Sequence, residues 1–143
     1  MQKISIIYWS GTGNTEIMAE SIAEGAKSEG AEVKVLNVDE AALEDVFDAD
    51  IAVLGCPSMG AENLEEGEME PFMESLEDGG LKGKKIVLFG SYDWGDGQWM
   101  KDWEDRVTDC GGNIIETSLI INLTPEDDEI ENCKELGRKI AKA

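Results

Sequence analysis

The sequence predicts an α/β fold, a doubly wound sheet of five parallel strands with helices on both faces, from three observations. Apolar runs of strand length alternate with segments of helical period, the pattern of βαβ units around a parallel sheet. No repeat, low-complexity tract or Pro/Ser-rich linker divides the 143 residues. Residues 1–143 therefore read as one domain, large enough to bury roughly two-thirds of its unfolded surface. Directly after the first apolar run comes a turn of glycines and hydroxyl residues that opens a helix, a natural seat for an anion.

Residues 3–9 read as a buried strand and 14–29 as a helix with Ile17, Met18, Ser21, Ile22 and Gly25 on its inner face, stopped by Gly30. Residues 32–38 form the second strand and 41–47 a short helix, with Asp39 read as its cap. The third strand is 51–55, followed by a helix over 68–76. The fourth is 85–91, followed by a helix over 99–110 in which Trp99 and Trp103, four apart, belong to the core. A fifth strand over 113–121 is interrupted near Thr117, and a helix over 129–141 follows Pro125. Right-handed crossovers make the sheet doubly wound.

Twelve Lys and Arg against 32 Asp and Glu give a net charge of −20. That balance repels nucleic acid and anionic membranes and favours positively charged protein surfaces. Cys56, Cys110 and Cys133 are odd in number, far apart and in no zinc or C-x-x-C pattern, so they read as buried thiols of a reducing compartment. The apolar run near the start, about half a dozen residues, is too short for a signal sequence or a membrane span. The expectation is a cytoplasmic protein.

In doubly wound sheets a ligand sits beyond the carboxyl ends of the strands where the winding reverses, which points to the loops 10–15, 56–68 and 92–98. In the first, Ser10-Gly11-Thr12-Gly13-Asn14-Thr15, two glycines let the backbone wrap closely and the next helix offers free N–H groups and a positive dipole end. The loop holds no Lys or Arg. It lacks the lysine of a Walker loop, and it fails the G-x-G-x-x-G dinucleotide pattern because Glu16 stands where the third glycine must pack.

The stretch Tyr8-Trp9-Ser10-Gly11-Thr12-Gly13-Asn14-Thr15-Glu16 resembles the phosphate-binding signature of the flavodoxin family. The segments 55–62 (GCPSMGAE) and 89–97 (FGSYDWGDG) resemble the family's loops after strands three and four, in the short-chain members from anaerobic bacteria. The segments 70–72 (EPF) and 133–137 (CKELG) agree as well. Flavodoxins are themselves among the sheets that exemplify the switch-point rule, so the agreement is one of consistency. The resemblance implies strand order 2-1-3-4-5 and one non-covalent FMN, cycling between semiquinone and hydroquinone as a low-potential one-electron carrier.

It further implies contacts to FMN from Ser10, Gly11, Thr12, Gly13, Asn14 and Thr15 at the phosphate. Pro57, Ser58, Met59, Gly60, Ala61 and Glu62 would line the ring from one loop, and Ser91, Tyr92, Asp93, Trp94 and Gly95 from the other, with Asn122 as an extra contact. Met59 would cover the inner ring face and Trp94 the outer; Glu62 would accept from flavin N3–H. Asp93 stands where the family usually has glycine and adds a negative charge. In the turn 59–62 the Gly60 carbonyl would accept from the protonated flavin N5. Glycine at the first central position suits a type II′ turn, whereas type II would place Ala61 at positive φ at a cost of about 1 kcal/mol.

The implied partners are ferredoxin-type oxidoreductases with basic docking patches, met by a monomer. An FMN-dependent NAD(P)H reductase on the same fold needs a second nucleotide site, and the chain has no histidine to manage protons. A phosphoacceptor receiver needs an aspartate where Gly55-Cys56-Pro57 stands. A module that binds FMN without redox duty differs only in its potentials.

Overall fold

The structure is a computed structural model that describes residues 2–11, 13–60 and 63–143. Its central strands come from the runs with no polar face. β3 (Ile51–Gly55) is buried at every position, as a parallel strand covered on both sides must be. β1 (Lys3–Tyr8) and β4 (Lys85–Tyr92) flank it, exposing only their first residues fully. β2 (Glu32–Asn37) forms the half-buried edge beyond β1. The strand order is 2-1-3-4-5, all parallel.

The fifth position is split, as the sequence suggested, with its end carried on to Asn122. β5 (Asn113–Ile114) pairs with Lys85 and Ile86, while β6 (Leu119–Asn122) pairs with Phe89 through Tyr92. In the gap Ile115 N–H still donates to the Ile86 carbonyl at 3.2 Å, and the Ser118 hydroxyl donates to Glu104 at 2.7 Å.

Two apolar layers sandwich the sheet. On one face α1 (Asn14–Ser28) and α5 (Asp127–Ala141) pack over Ile4, Ile6, Val53, Val87 and Phe89. On the other, α2 (Leu43–Phe47), α3 (Met69–Gly79) and α4 (Gln98–Asp109) cover Ile7, Leu54 and Leu88, with Trp99 and Trp103 both 1% exposed. α1 and α5 meet backbone to backbone: a Cβ on Gly25 would lie 1.9 Å from the Lys134 carbonyl oxygen, and one on Gly137 2.0 Å from that of Ile22.

Several details depart from the sequence reading. Trp9 lies past the end of β1, although its N–H still donates to the Gly55 carbonyl at 3.0 Å. Ile17 is only half-buried, because α1 turns Ala19, Ala23 and Ala26 toward the sheet along with Met18 and Ile22. Asp39 caps nothing: it belongs to a single 3₁₀ turn, Val38–Glu40, and its N–H donates to Asn37. The carboxylate at the start of α2 is Asp45, which accepts from Ala42 N–H at 2.8 Å. Cys110 is half-buried rather than buried.

Candidate functional site

The strand register sets Tyr8, Gly55 and Phe89 side by side, so the chain leaves β1, β3 and β4 at one edge of the sheet. After β1, the Ser10 hydroxyl oxygen accepts from Gly13 N–H at 3.1 Å and Glu16 N–H at 3.3 Å, folding the loop back over the start of α1. Gly13 takes φ +98°, and a Cβ there would meet nothing within 4 Å. The amides of Asn14 and Thr15 have no acceptor among the described residues. Among the described residues the helix therefore begins with free donors, with open space beside Gly13. Gly11 is exposed, and a Cβ there would lie 2.9 Å from the Trp9 ring. Thr12 lies outside the described residues.

A buried hydroxyl pair ties the first loop to the third, and a backbone bond ties the second loop to the third. Thr15 Oγ1 and Ser91 Oγ are 2.8 Å apart, and Ser58 N–H donates to the Ser91 carbonyl at 3.0 Å. After Pro57 and Ser58, both half-buried, Met59 and Asn63 exchange N–H···O bonds of 2.9 and 2.8 Å, an isolated antiparallel bridge. The closing pair is thus 59 with 63, one residue wider than the four-residue turn expected over 59–62. Gly60 is exposed with φ +47°, the sign expected for a glycine first in the turn. Ala61 and Glu62, the other two positions expected in that turn, lie outside the described residues.

Glu65 ends the hairpin and starts α3. Its carboxylate accepts from the backbone N–H groups of Gly67, Glu68 and Met69 at 2.7, 2.7 and 3.0 Å. Burial pushes its pKa up, but those three donors outweigh burial and hold it below the usual glutamate range. Beneath it, Glu65 N–H donates to Cys56 Sγ, and burial pushes that thiol up to about 12, so Cys56 packs as a neutral side chain. Trp99 Nε1 donates to the Cys56 carbonyl at 3.2 Å, pinning the loop to α4.

In the third loop Ser91 is buried and Tyr92 half-buried, with the Tyr92 ring tilted 47° against Trp99 at 5.6 Å. Asp93, Trp94 and Gly95 stand exposed, and Trp94 keeps 59% of its surface in solvent. Asn122 is exposed and serves as a brace: its amide donates to the carbonyls of Tyr92 at 3.0 Å and Asp93 at 3.5 Å.

A cleft of about 130 Å³ opens where the three loops meet, walled by Gly11, Pro57, Met59, Ser91 and Tyr92. Trp9 is the wall that the sequence reading left out. Its Nε1–H donates to Glu68 Oε1 at 3.1 Å, which clamps the indole between the first loop and the foot of α3. The one signal in the sequence was its place directly after an apolar strand and before the glycine turn, although its ring also packs against the core beneath α3 and α4.

With that geometry in hand, comparison with known proteins decides the family. The flavodoxin family model matches residues 6–137. The chain belongs to the flavodoxin family. It is 48% identical to the flavodoxin of Clostridium beijerinckii across 96% of this chain and 99% of that one, and 47% identical to that of Megasphaera elsdenii across 98% and 99%. The solution structure of two-electron reduced Megasphaera elsdenii flavodoxin superposes with a TM-score of 0.87 at 46% identity, covering 98% of this chain and 99% of that one. An archaeal flavodoxin structure gives 0.88 at 29% identity, covering 98% and 96%. Flavodoxins bind FMN and pass electrons to and from partner proteins, so this chain is an electron-transfer flavoprotein and not an enzyme with its own substrate. No helix among its described residues is long and apolar enough to cross a membrane.

Proposed function

We propose that this flavodoxin is a cytoplasmic, monomeric, low-potential one-electron carrier. It presents FMN in the three-loop cleft to basic faces of ferredoxin-type oxidoreductases. The observation that carries the proposal is an anion seat built without a cation: none of the three loops contains Lys or Arg, and the chain around them has net charge −20.

The residues fit the cofactor. The open amides of Asn14 and Thr15, with the hydroxyls of Ser10 and Thr15, suit a phosphate at the start of α1. The cleft between Met59, Pro57 and Tyr92 is apolar and narrow, and Trp94 stands free beside it to cover a flat ring. FMN supplies a ring that takes up electrons one at a time. The protein's part is to exclude water with Met59 and Trp94 and to set the electrostatics. Asp93, Asp96 and Glu66 are exposed and pair with no cation among the described residues, so the second electron is admitted only at a lower potential. Gly60 at positive φ leaves its peptide free to reorient toward the flavin N5.

Anaerobic dithionite titration of the FMN-loaded protein, followed by visible absorbance, tests this. A stable one-electron form should accumulate near one equivalent, with the second electron far harder to add. Bleaching in a single two-electron step would contradict the proposal.

A further inference from the structure

The last peptides of β4 are held from opposite sides. Toward β3, the Ser91 carbonyl accepts from Ser58 N–H at 3.0 Å. Toward β6, the Tyr92 carbonyl accepts from Leu123 N–H at 2.8 Å and from the Asn122 side-chain amide at 3.0 Å, and the same amide reaches the Asp93 carbonyl at 3.5 Å. A trans peptide opposes its carbonyl and its N–H. The peptide that aims the Tyr92 carbonyl at β6 therefore aims Asp93 N–H back toward β3, where Ser58, Met59, Tyr92 and Asp93 line the cofactor cleft. Asp93 N–H has no acceptor among the described residues.

Leu123 supplies one of the bonds that fix this peptide, and it does so in a conformation leucine avoids. Its φ is +62°, left-handed backbone that glycine adopts freely and a residue with a Cβ does not. Packing does not explain it, because the side chain keeps 52% of its surface in solvent and belongs to neither apolar layer. Strain of this kind clusters where the backbone has work to do at a ligand site. Here the left-handed residue takes the chain off the sheet toward α5 directly after its N–H has completed the ladder at Tyr92.

We propose that Leu123 is a positioning residue for the cofactor: with the Asn122 amide it holds the Tyr92 carbonyl toward β6 and so presents Asp93 N–H to the cleft as a fixed donor. The inference rests on the carrier reading above and deepens it. The acceptor is a carbonyl oxygen or ring nitrogen on the electron-rich edge of the flavin. A donor fixed there binds more strongly as negative charge builds on the ring, so it offsets part of the repulsion from the surrounding carboxylates.

The test compares wild type, Leu123→Val and Leu123→Gly, by fluorescence titration of each apoprotein with oxidised FMN and by the two-electron midpoint of each loaded protein. Valine, branched at Cβ, resists positive φ and should draw the N–H of residue 123 off Tyr92. The ratio of reduced-FMN to oxidised-FMN affinity should then fall about tenfold, which is a drop of about 30 mV in the midpoint. Glycine adopts positive φ freely and should restore the wild-type ratio. In 15N-labelled protein the Asp93 amide signal should move downfield on FMN binding in wild type and Leu123→Gly, and much less in Leu123→Val. A lower urea midpoint in Leu123→Val with the wild-type ratio retained would make the strain purely structural, and an equal fall in Leu123→Gly would assign the effect to the side chain; either overturns the positioning role. A wild type that bound no FMN would sink the carrier reading and this inference together, whereas variants indistinguishable from an FMN-binding wild type would sink the inference alone.

Discussion

Near the C-terminus of α1, a Cβ on Gly25 would lie 1.9 Å from the Lys134 carbonyl oxygen, whereas at its N-terminus a Cβ on Gly13 would meet nothing within 4 Å. One helix thus uses glycine at one end to let another backbone in and at the other to keep a space open at φ +98°. The closed end is held by packing on α5 and tolerates no added atom. The open end is held by polar cross-ties, Thr15 to Ser91, Ser58 to Ser91 and Glu65 to three amides, which fix the loops without filling the space between them. Stability and ligand capacity are therefore separable in this molecule.

Substitution can break that separation. Gly137→Ala should cost about 3 kcal/mol in urea unfolding, because the methyl group would lie 2.0 Å from backbone that cannot yield, overriding the usual helix preference for alanine. Gly13→Ala should cost only about 1 kcal/mol, from its positive φ, while weakening FMN binding. Equal losses from the two would dissolve the comparison. Next in size, Ser91→Ala leaves the buried Thr15 hydroxyl without its partner and should cost about 2 kcal/mol.

Glu65→Gln should cost about 1 kcal/mol at neutral pH, and the cost should depend on pH. The folded carboxyl titrates below its unfolded value of about 4.3, so its stabilisation is fully present above that value and is lost as pH falls through the lowered one. The difference between wild type and variant in urea midpoint should accordingly close on acidification; a difference that persisted well below pH 4 would mean that Glu65 acts through packing. Smallest, Asn122→Ala removes a brace from an exposed loop and should weaken FMN about threefold in a fluorescence titration, with no change in urea midpoint.

The strands and the three loops could be read from the sequence because their signals are local, whereas the strand order came only with the family resemblance. Unbroken apolar runs mark strands buried on both faces, and Ser10-Gly11-Thr12-Gly13 stands directly after one of them. What escaped depends on partners distant in the chain. Trp9 is a wall of the cleft only because Glu68, 59 residues on, accepts from its indole, and nothing near Trp9 announces that bond. Arg106 joins α4 to α3 through Glu70 and Glu77, two among many acids that look equally solvated in sequence. Gly25 was placed on the inner face of α1, yet its contact with Lys134 appears only once α5 is docked. Asp39 misled because an aspartate before a short helix is a common cap, while here the chain spends an extra 3₁₀ turn and Asp45 does the work from inside α2.

We propose that open backbone amides at the start of α1 seat the FMN phosphate without help from any Lys or Arg in the three loops. Comparing FMN with riboflavin, which lacks the phosphate, in fluorescence titrations of the apoprotein tests it most directly. Two charge-assisted hydrogen bonds predict FMN affinity about a hundredfold or more above that of riboflavin. Equal affinities would place the binding energy in the ring cleft alone and contradict the account.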